Sequence, residues 1–311
     1  MYIKRIEWET DLGQELLLSD NIVALGAFDG LHRGHMSLIE RAVELAAESS
    51  AAKSCVFTFE SAFGNPSRIT SNVQREEILR GAGVDFVVMQ SFTEAFRALS
   101  PNEFFDRYIV GALNAKTIIT GFNYRFGCMG AGDNRALSRM CAERGVEHIV
   151  IAPVISSGAA VSSTRIRSAV RGGDLTEASR MLGRYFCIRG KVAVGDRIGA
   201  SLGFPTANTV PEVKYIMPPH GVYCTMARVG GRLYQAVTNC GGKPTIRGGV
   251  NAVETYIIDF DGNIYDESIE VYFVEKIREI VKFASVEALS ARLAEDVKES
   301  KQILDKLGHI C

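Results

Sequence analysis

Short apolar runs alternate with longer amphipathic stretches through the first half of the chain. The runs are rich in β-branched and aromatic residues, which is typical of buried strands. They occupy residues 21–25, 55–59, 86–89, 117–120 and 148–152. Between them, apolar positions recur at helical spacing over residues 34–46, 72–82, 101–113 and 134–144. This alternation predicts a doubly wound parallel sheet with helices on both faces.

The hydrophobic pattern changes near residue 184. Beyond it the helical spacing disappears, and short apolar strands separated by glycine turns take its place. Gly230, Gly231 and the segment 261–263 are predicted to form hairpin turns. Strands that follow each other without helices predict a small antiparallel β-barrel. The predicted strands are 187–194, 221–229, 232–239, 253–260 and 268–277.

A last helix is predicted from residue 285 to residue 307. Apolar side chains recur on one of its faces at helical spacing. We expect this face to pack on the barrel, and packing on a partner protein is the alternative. The change of pattern places the domain boundary between residues 183 and 184, which gives domains of 1–183 and 184–311. The residues of the expected apolar face are Val286, Leu289, Leu293 and Val297.

Composition limits the classes of function. The 311 residues suffice for two domains of about 150 residues each. The net charge of −1 does not indicate a nucleic-acid or membrane surface, and no apolar run is long enough to cross a bilayer. The first residues do not form a signal peptide. The seven cysteines contain no CxxC pair, so we expect reduced, mostly buried thiols in a cytoplasmic protein.

A glycine-rich turn after the first strand carries two histidines. Gly26 and Gly30 allow the backbone to bend there, and Gly34 leaves space beside His32 and His35. A strand, a glycine turn and a helix together direct backbone N–H groups and the positive end of the helix dipole at an anion. We interpret the turn as a phosphate site in which both histidines face the polyphosphate of a nucleotide. Two zinc ligands or a structural histidine pair remain the alternatives, although no companion at ligand spacing is present.

Other strand ends carry polar side chains suited to phosphate. Hydroxyl groups at 162–164 open a helix, where they can cap the backbone or donate to phosphate. Arg165 and Arg167 can add charge-assisted hydrogen bonds to the same anion. Simple capping is the alternative for the hydroxyls, and a surface ion pair is the alternative for Arg125 in the turn at 121–127.

The second half contains a distinctive segment at residues 202–208. Thr206 and Asn208 lie on the same side of an extended chain. A hydroxyl and an amide oxygen placed in this way can complete the coordination of a hard cation such as Mg²⁺. The alternative is a turn fixed by Pro205 in which Asn208 bonds its own backbone.

These motifs resemble a known family when they are read in order. GAFDGLHRGH at 26–35, GFNYRFG at 121–127, SSTRIR at 162–167 and GDRIGASLGFPTAN at 195–208 are similar to motifs of the bacterial bifunctional riboflavin kinase/FAD synthetase family. The resemblance covers nearly the whole chain. It departs from the family at residues 59–66, at Tyr124, at Tyr256 and at Asp266.

The resemblance implies a Rossmann-like nucleotidyltransferase domain at 1–183 and a riboflavin kinase barrel at 184–311. The barrel is expected to phosphorylate riboflavin to FMN, and the first domain to adenylylate FMN to FAD with release of pyrophosphate. ATP and Mg²⁺ are the implied co-substrate and cofactor. Riboflavin, FMN, FAD, ATP, ADP and pyrophosphate are the expected ligands of a monomer or weak homo-oligomer. A flavin-binding regulator, or a related nucleotidyltransferase with one activity lost, remains the alternative.

The family motifs also imply roles for single residues. His32, His35 and Arg165 are expected to act in adenylylation, and Glu254 as the general base of the kinase. Thr206 and Asn208 are the implied metal ligands. Phe59, Tyr223 and Arg278 are the implied flavin contacts. The implied nucleotide-binding residues are Gly26, Phe28, Asp29, Gly34, Asn123, Arg125, Ser163, Thr164, Gly203, Pro205, Thr206 and Asn208.

Overall fold

The computed structural model describes residues 2–6, 19–60, 67–195, 199, 203–241 and 253–307. These residues pack into two compact units. The first unit lies within 1–66 and 72–162, and the second within 67–71 and 163–311. The functional boundary predicted at 183/184 stays a prediction. None of the helices in the described residues is both long and apolar enough to cross a membrane.

The first unit is built on a six-stranded parallel sheet. Its strand order is β1-β4-β3-β2-β5-β8, so β2 lies between β3 and β5 near the middle. Short two-residue strands form two small hairpins beside it. The strands are β1 (Tyr2–Ile6), β2 (Asp20–Leu25), β3 (Ala52–Phe59), β4 (Phe86–Gln90), β5 (Ala115–Gly121), β6 (Arg125–Phe126), β7 (Gly132–Asp133), β8 (Glu147–Ile151), β9 (Ile155–Ser156) and β10 (Ala159–Ala160).

Helices cover both faces of this sheet, as predicted. One apolar cluster joins one face of the strands to the first two helices, and a second cluster joins the other face to the remaining ones. The predicted helix over 101–113 is one α-helical turn followed by a π-helix at Phe105–Ala112. The helices are α1 (Arg33–Ala47), α2 (Asn72–Gly81), α3 (Glu94–Ala98), α4 (Pro101–Phe104) and α5 (Asn134–Arg144).

The sheet topology brings three loops to one edge. Strands β2, β3 and β5 are parallel neighbours, so the segments that follow them leave the sheet at the same carboxyl-terminal edge. The direction of strand addition reverses between β2 and β5, and ligands in open α/β sheets bind at such a reversal. The glycine-rich turn after β2 and the 121–127 turn after β5 lie at this point.

The second unit contains a closed antiparallel barrel, which confirms the predicted fold class. The barrel order is β11-β12-β15-β14-β13-β16. Two helices precede the barrel and one follows it. Its elements are α6 (Ser163–Gly172), α7 (Leu175–Leu182), β11 (Phe186–Ala193), β12 (Thr206–Pro211), β13 (Gly221–Val229), β14 (Arg232–Cys240), β15 (Val253–Ile257), β16 (Ser268–Arg278) and α8 (Val286–Lys306).

One of the two predicted hairpin turns is wrong. Gly230 and Gly231 do connect β13 to β14 with positive φ values of 55° and 80°. The segment 261–263 instead leads from β15 to β16, which are not neighbours: β15 pairs with β12 and β14, and β16 with β11 and β13. This crossover closes the barrel, and the pairing depends on contacts far apart in sequence.

Alternation along the barrel strands separates an inner from an outer face. Three threonines on adjacent strands form an internal hydroxyl ladder, with 2.8 Å between the Oγ1 atoms of Thr225 and Thr238 and 2.9 Å between those of Thr238 and Thr255. All three side chains are fully buried. Because successive side chains of a strand point to opposite faces, Glu254 and Tyr256 lie on the outer face.

Helix α8 packs on the barrel, and Val297 of the expected face contacts an apolar cluster of the barrel strands. Val286 is 60% exposed, so the predicted apolar face is wrong at its first position. The buried positions are Asp296, Ser300 and Leu304. The Asp296 carboxylate accepts hydrogen bonds of 2.6 to 3.1 Å from the Arg278 guanidinium at the end of β16. The helix is therefore held by a buried ion pair, which apolar periodicity does not report.

Asp296→Asn is expected to destabilise the barrel by about 3 kcal/mol, because removing one partner leaves a buried arginine uncompensated. Amide hydrogen exchange of β13 and β14 measures the loss. The matched control is Glu295→Gln, whose carboxylate is 66% exposed and should change stability by less than about 0.5 kcal/mol. Equal effects of the two variants would contradict the anchoring role of Asp296.

Four cysteines are buried thiols, as expected for a reduced protein. Burial raises the pKa of Cys55 and of Cys240 to about 12. Burial also raises the pKa of Cys141 and of Cys224 to about 11. These thiols therefore carry no reactive thiolate near neutral pH. Cys311 lies outside the described residues.

Candidate phosphate and substrate sites

The turn between β2 and α1 has an unusual backbone. Phe28 and Leu31 adopt positive φ values of 48° and 38°, and Gly30 lies between them at 86°. Side chains other than glycine rarely adopt this conformation, and such strain persists only where the surroundings hold it. Phe28 and Leu31 are fully buried in the apolar cluster under α1, and this packing holds the turn. A backbone held in a strained shape is typical of a binding site.

Close contacts leave little room for a side chain at Gly26 and at Gly34. A Cβ on Gly26 would lie 2.9 Å from the Phe28 ring, and a Cβ on Gly34 would lie 3.3 Å from the His32 ring. Larger residues would therefore displace the aromatic side chains that shape the turn. Asp29 lies in the same turn and is buried.

The two histidines are in direct contact. Their rings stack with 3.5 Å between centroids and 18° between planes, and Phe28 meets His35 edge-on at 5.1 Å. His32 is the N-cap of α1, where its Nδ1 accepts the backbone N–H of His35 at 3.2 Å. In a neutral His32 the proton is therefore on Nε2, which makes that atom a donor. Stacked imidazoles at a helix N-terminus suit a polyanion.

A buried arginine that sequence reasoning missed supports the turn. Arg75 of α2 is only 3% exposed. Its guanidinium donates to the carbonyl of Ala27 at 3.4 Å and to the carbonyl of Phe59 at 2.7 Å, and it also reaches the Thr58 hydroxyl at 3.2 Å. Arg75 thus connects the glycine-rich turn after β2 to the end of β3. In the sequence it resembles an ordinary residue of a polar helix face.

The predicted nucleotide-binding turn after β5 is held by hydrogen bonds from a side chain of helix α5. Asn123 and Arg125 are exposed on it, and Tyr124 N–H closes the turn on the carbonyl of Gly121. The Asn134 side-chain amide donates to the carbonyls of Gly121 and Phe122 at 2.9 and 3.0 Å. The first residue of α5 therefore fixes the path of this turn.

A half-buried histidine completes this network of hydrogen bonds. Because both N–H groups of the Asn134 amide go to backbone carbonyls, its oxygen accepts the Thr120 hydroxyl proton at 2.9 Å. His148 Nε2 must then donate to Thr120 Oγ1 at 2.8 Å, while its Nδ1 accepts from Ser138 at 2.8 Å. The network fits a neutral imidazole, and burial lowers the pKa of His148.

The first unit is expected to lose stability as pH falls below about 6.5, the ordinary pKa of histidine. Since burial lowers the pKa of His148 in the folded state, the unfolded chain binds its proton first, and the loss levels off below the folded-state pKa. Thermal unfolding between pH 8 and pH 5 measures this loss of stability. His148→Gln, which cannot titrate, should show a smaller decrease; an identical decrease would contradict the assignment.

The serine, threonine and arginine of the SSTRIR motif open helix α6. Ser163 and Thr164 are its first residues. The Arg165 guanidinium lies 3.2 Å from the Glu177 carboxylate of α7. The helix belongs to the second unit. The roles of Ser163, Thr164 and Arg165 at phosphate stay predictions.

Phe59 ends β3 in an aromatic cluster. Its ring is half-buried and meets the Phe92 and Phe96 rings edge-on at 5.3 and 5.5 Å. Contact of Phe59 with flavin stays a prediction. Residues 61–66, which belong to the segment that differs from the family motif, lie outside the described residues.

The barrel register aligns the predicted kinase residues. On the outer face, Asn208 of β12 lies opposite Glu254 of β15, and Glu254 lies opposite Asn239 of β14. The same row continues through Val222 of β13 to Arg278 of β16. Residues far apart in sequence therefore form one strip, with a carboxylate between two amides.

The segment before this strip matches the extended chain that the sequence predicts. Gly203 has a positive φ of 82°, Pro205 precedes β12, and Thr206 begins it on the same face as Asn208. A Cβ on Gly195 would overlap the Asn208 amide, so the backbone packs directly against that side chain. Residues 196–198 and 200–202 of the motif lie outside the described residues, as do 242–252.

The two predicted flavin contacts of the barrel have strong internal partners. Tyr223 is fully buried inside the barrel, where its hydroxyl donates to the carbonyl of Pro219 and its ring packs on Phe273. The Arg278 side chain is 15% exposed and pairs with Asp296. Contact of either residue with flavin stays a prediction.

Comparisons with known proteins agree with the division into two activities. The FAD synthetase family matches residues 15–165, and the riboflavin kinase family matches residues 182–304. Bifunctional riboflavin kinase/FMN adenylyltransferases are similar throughout. The one from Listeria monocytogenes serovar 1/2a is 32% identical, and the one from Pseudomonas fluorescens 34%, each over 93% of this chain and 94% of the relative.

A solved structure shares the whole fold. It is the crystal structure of a protein from Streptococcus pneumoniae described as a macrolide-efflux protein. The two chains are 33% identical with a TM-score of 0.86, over 97% of this chain and 99% of the other.

A parallel-sheet unit matched by the FAD synthetase family and a closed barrel matched by the riboflavin kinase family define a transferase of phosphorus-containing groups. The chain belongs to the bifunctional riboflavin kinase/FMN adenylyltransferase family. It is an enzyme of flavin cofactor synthesis, and ATP is its co-substrate.

Proposed function

We propose that this chain makes FAD from riboflavin in two steps at two separate sites. The barrel transfers the γ-phosphate of ATP to the 5′-hydroxyl of riboflavin and gives FMN. The first unit then joins the adenylyl group of a second ATP to FMN and releases pyrophosphate. The observation that best supports the pair of activities is the register that sets Glu254 beside Asn208, in a separate unit from the stacked histidines.

At the adenylylation site the phosphate of FMN attacks the α-phosphate of ATP in line, and no covalent enzyme intermediate forms. Rate enhancement comes from positioning and from stabilising the charge that grows on pyrophosphate. His32 Nε2–H donates a hydrogen bond to the charged oxygens of pyrophosphate. The His35 ring stacks on the His32 ring and completes the anion site. Gly26 and Gly34 keep the backbone close to the phosphates. The assignment of Ser163, Thr164 and Arg165 rests on the sequence motif alone.

At the kinase site Glu254 accepts the proton of the riboflavin hydroxyl as that oxygen attacks the γ-phosphate. Phosphoryl transfer to an alcohol needs a carboxylate within reach of the hydroxyl proton, with the phosphates held in place. The position of Glu254 on the outer face, next to Asn208, supports this role.

The donor set of β12 fits Mg²⁺. Thr206 and Asn208 offer a hydroxyl and an amide oxygen on one face, and hard cations prefer such ligands. Thr206 and Asn208 would hold Mg²⁺, and the cation would supply neutralisation of charge on the ATP phosphates. The direct packing of the Gly195 backbone on Asn208 supports a fixed orientation of this amide.

Incubation of the pure protein with riboflavin, ATP and Mg²⁺, followed by chromatographic separation of FMN and FAD, tests the function. Formation of FMN and then FAD is the expected result. FMN alone would mean an inactive synthetase, and neither product would favour a flavin-binding regulator. FAD formed only from added FMN would indicate a nucleotidyltransferase that has lost its kinase.

We also propose that the enzyme works in the cytoplasm as a monomer or weak homo-oligomer, without nucleic acid or membrane. The net charge of −1 and the buried thiols support this proposal. Sedimentation velocity over a range of protein concentrations tests the oligomeric state.

A further inference from the structure

Asn239 is a polar side chain of the outer strip of the barrel that the proposed mechanism does not use. Asn239 of β14 lies directly opposite Glu254 of β15. Its amide oxygen is buried and finds no hydrogen-bond partner within the described part of the chain. Leaving a buried acceptor unsatisfied is costly, and native structures seldom do so without a reason. This oxygen therefore suits a ligand that donates a hydrogen bond or carries positive charge.

The strand order separates Asn239 from the predicted cation site. Asn208 is on β12, Glu254 on β15 and Asn239 on β14, in that order around the barrel. Neighbouring strands are about 4.8 Å apart, so the backbones of the two asparagines are about 10 Å apart. Side chains on the convex outer face also diverge. This divergence argues against a single Mg²⁺ bound by both amides, since Mg²⁺ needs its ligand oxygens about 2.1 Å away.

The remaining ligand is the alcohol substrate, on the side of Glu254 away from Asn208. Cross-strand neighbours have Cβ atoms about 5 Å apart, so adjacent hydroxyls of one substrate can reach both side chains. The carboxylate receives the proton of the hydroxyl that is phosphorylated. The amide oxygen, which has no proton affinity to compete with it, suits the next hydroxyl along.

We propose that Asn239 orients riboflavin in the kinase site by accepting a hydrogen bond from the 4′-hydroxyl of its ribityl chain. The 5′-hydroxyl then lies at Glu254, in line with the ATP γ-phosphate. This inference rests on the proposed kinase function. It makes Asn239 a determinant of substrate preference: the site favours flavins that carry a 4′-hydroxyl.

The test compares FMN-type product formation from riboflavin and from riboflavin without the 4′-hydroxyl. The unmodified enzyme should prefer riboflavin by about tenfold in kcat/KM, as expected for one neutral hydrogen bond. Asn239→Ala should lose about tenfold with riboflavin and nothing with the deoxy substrate, so that the preference disappears. Asn239→Asp keeps an acceptor oxygen and should retain the preference.

Three further measurements keep the outcomes distinct. Asn263→Ala, in an exposed turn of the same unit, should not change the preference. The Mg²⁺ dependence should be normal in Asn239→Ala and weakened in Asn208→Ala. Equal slowing of both substrates in Asn239→Ala, or a shifted Mg²⁺ dependence, overturns the proposal. Absence of FMN formation by the unmodified enzyme overturns the kinase assignment itself.

Discussion

His35→Ala stops FAD formation and leaves FMN formation near its normal rate. We expect kcat for adenylylation of added FMN to fall by about 10³-fold, because a lost contact to a developing charge costs 10²- to 10³-fold. The variant also removes the ring that stacks on His32 at 3.5 Å. Chromatography of the flavins formed from riboflavin and ATP measures both activities in one sample, and FMN should accumulate.

The control variants distinguish the loss of the histidine side chain from a general disturbance of helix α1. His32→Ala should give the same pattern, since it removes the predicted Nε2–H donor and the N-cap. Glu40→Ala, at an exposed position of the same helix, should leave both activities unchanged. Loss of both activities in His35→Ala, with the fold intact, would argue against independent sites.

Glu254→Gln is expected to lose riboflavin phosphorylation and to keep FMN adenylylation, which is the reverse of His35→Ala. We expect riboflavin phosphorylation to fall by about 10³-fold, in the range of a lost general base, because the amide keeps the shape but cannot accept the proton. Adenylylation of added FMN should continue at its normal rate. Initial rates of FMN formation from riboflavin, and of FAD formation from FMN, measure the two effects.

Glu275→Gln is the matched control for this substitution. Glu275 is an exposed glutamate on β16 of the same barrel, and its replacement should change neither rate by more than about twofold. If Glu254→Gln phosphorylates riboflavin within tenfold of the normal rate, Glu254 is not the base.

Local pattern was sufficient for most elements of the fold. The parallel strands and amphipathic helices each have their own period, so β2, β3, β5 and the helix over Asn134–Arg144 could be predicted from short windows. The edge strand β1 was missed because its five residues include Lys4 and Arg5 and form no apolar run. The false hairpin at 261–263 has a different cause: which barrel strands pair is decided by closure, not by neighbouring residues.

In the candidate sites, too, local sequence pattern predicts contiguous features and misses contacts between residues far apart in the sequence. The glycine-rich turn before α1 could be located in the sequence because its glycines, its histidines and the start of the helix are contiguous, whereas its binding of phosphate stays a prediction. The role of Arg75 could not be predicted, because its hydrogen-bond partners lie on other elements. The residues around it in the sequence are typical of a solvent-exposed helix face. None of the motifs identified in the sequence contains Asn239. Only the barrel register places it beside Glu254. The buried Asp296 was hidden for the same reason, within a helix read for its apolar residues.

The central claim is that two independent sites on one chain act in sequence, the barrel first. Mixing His35→Ala protein with Glu254→Gln protein, and supplying riboflavin, ATP and Mg²⁺, tests it most directly. We predict that neither variant alone makes FAD, and that the mixture does after a lag in which FMN accumulates. A mixture that makes no FAD, although the first variant releases FMN, would contradict the account.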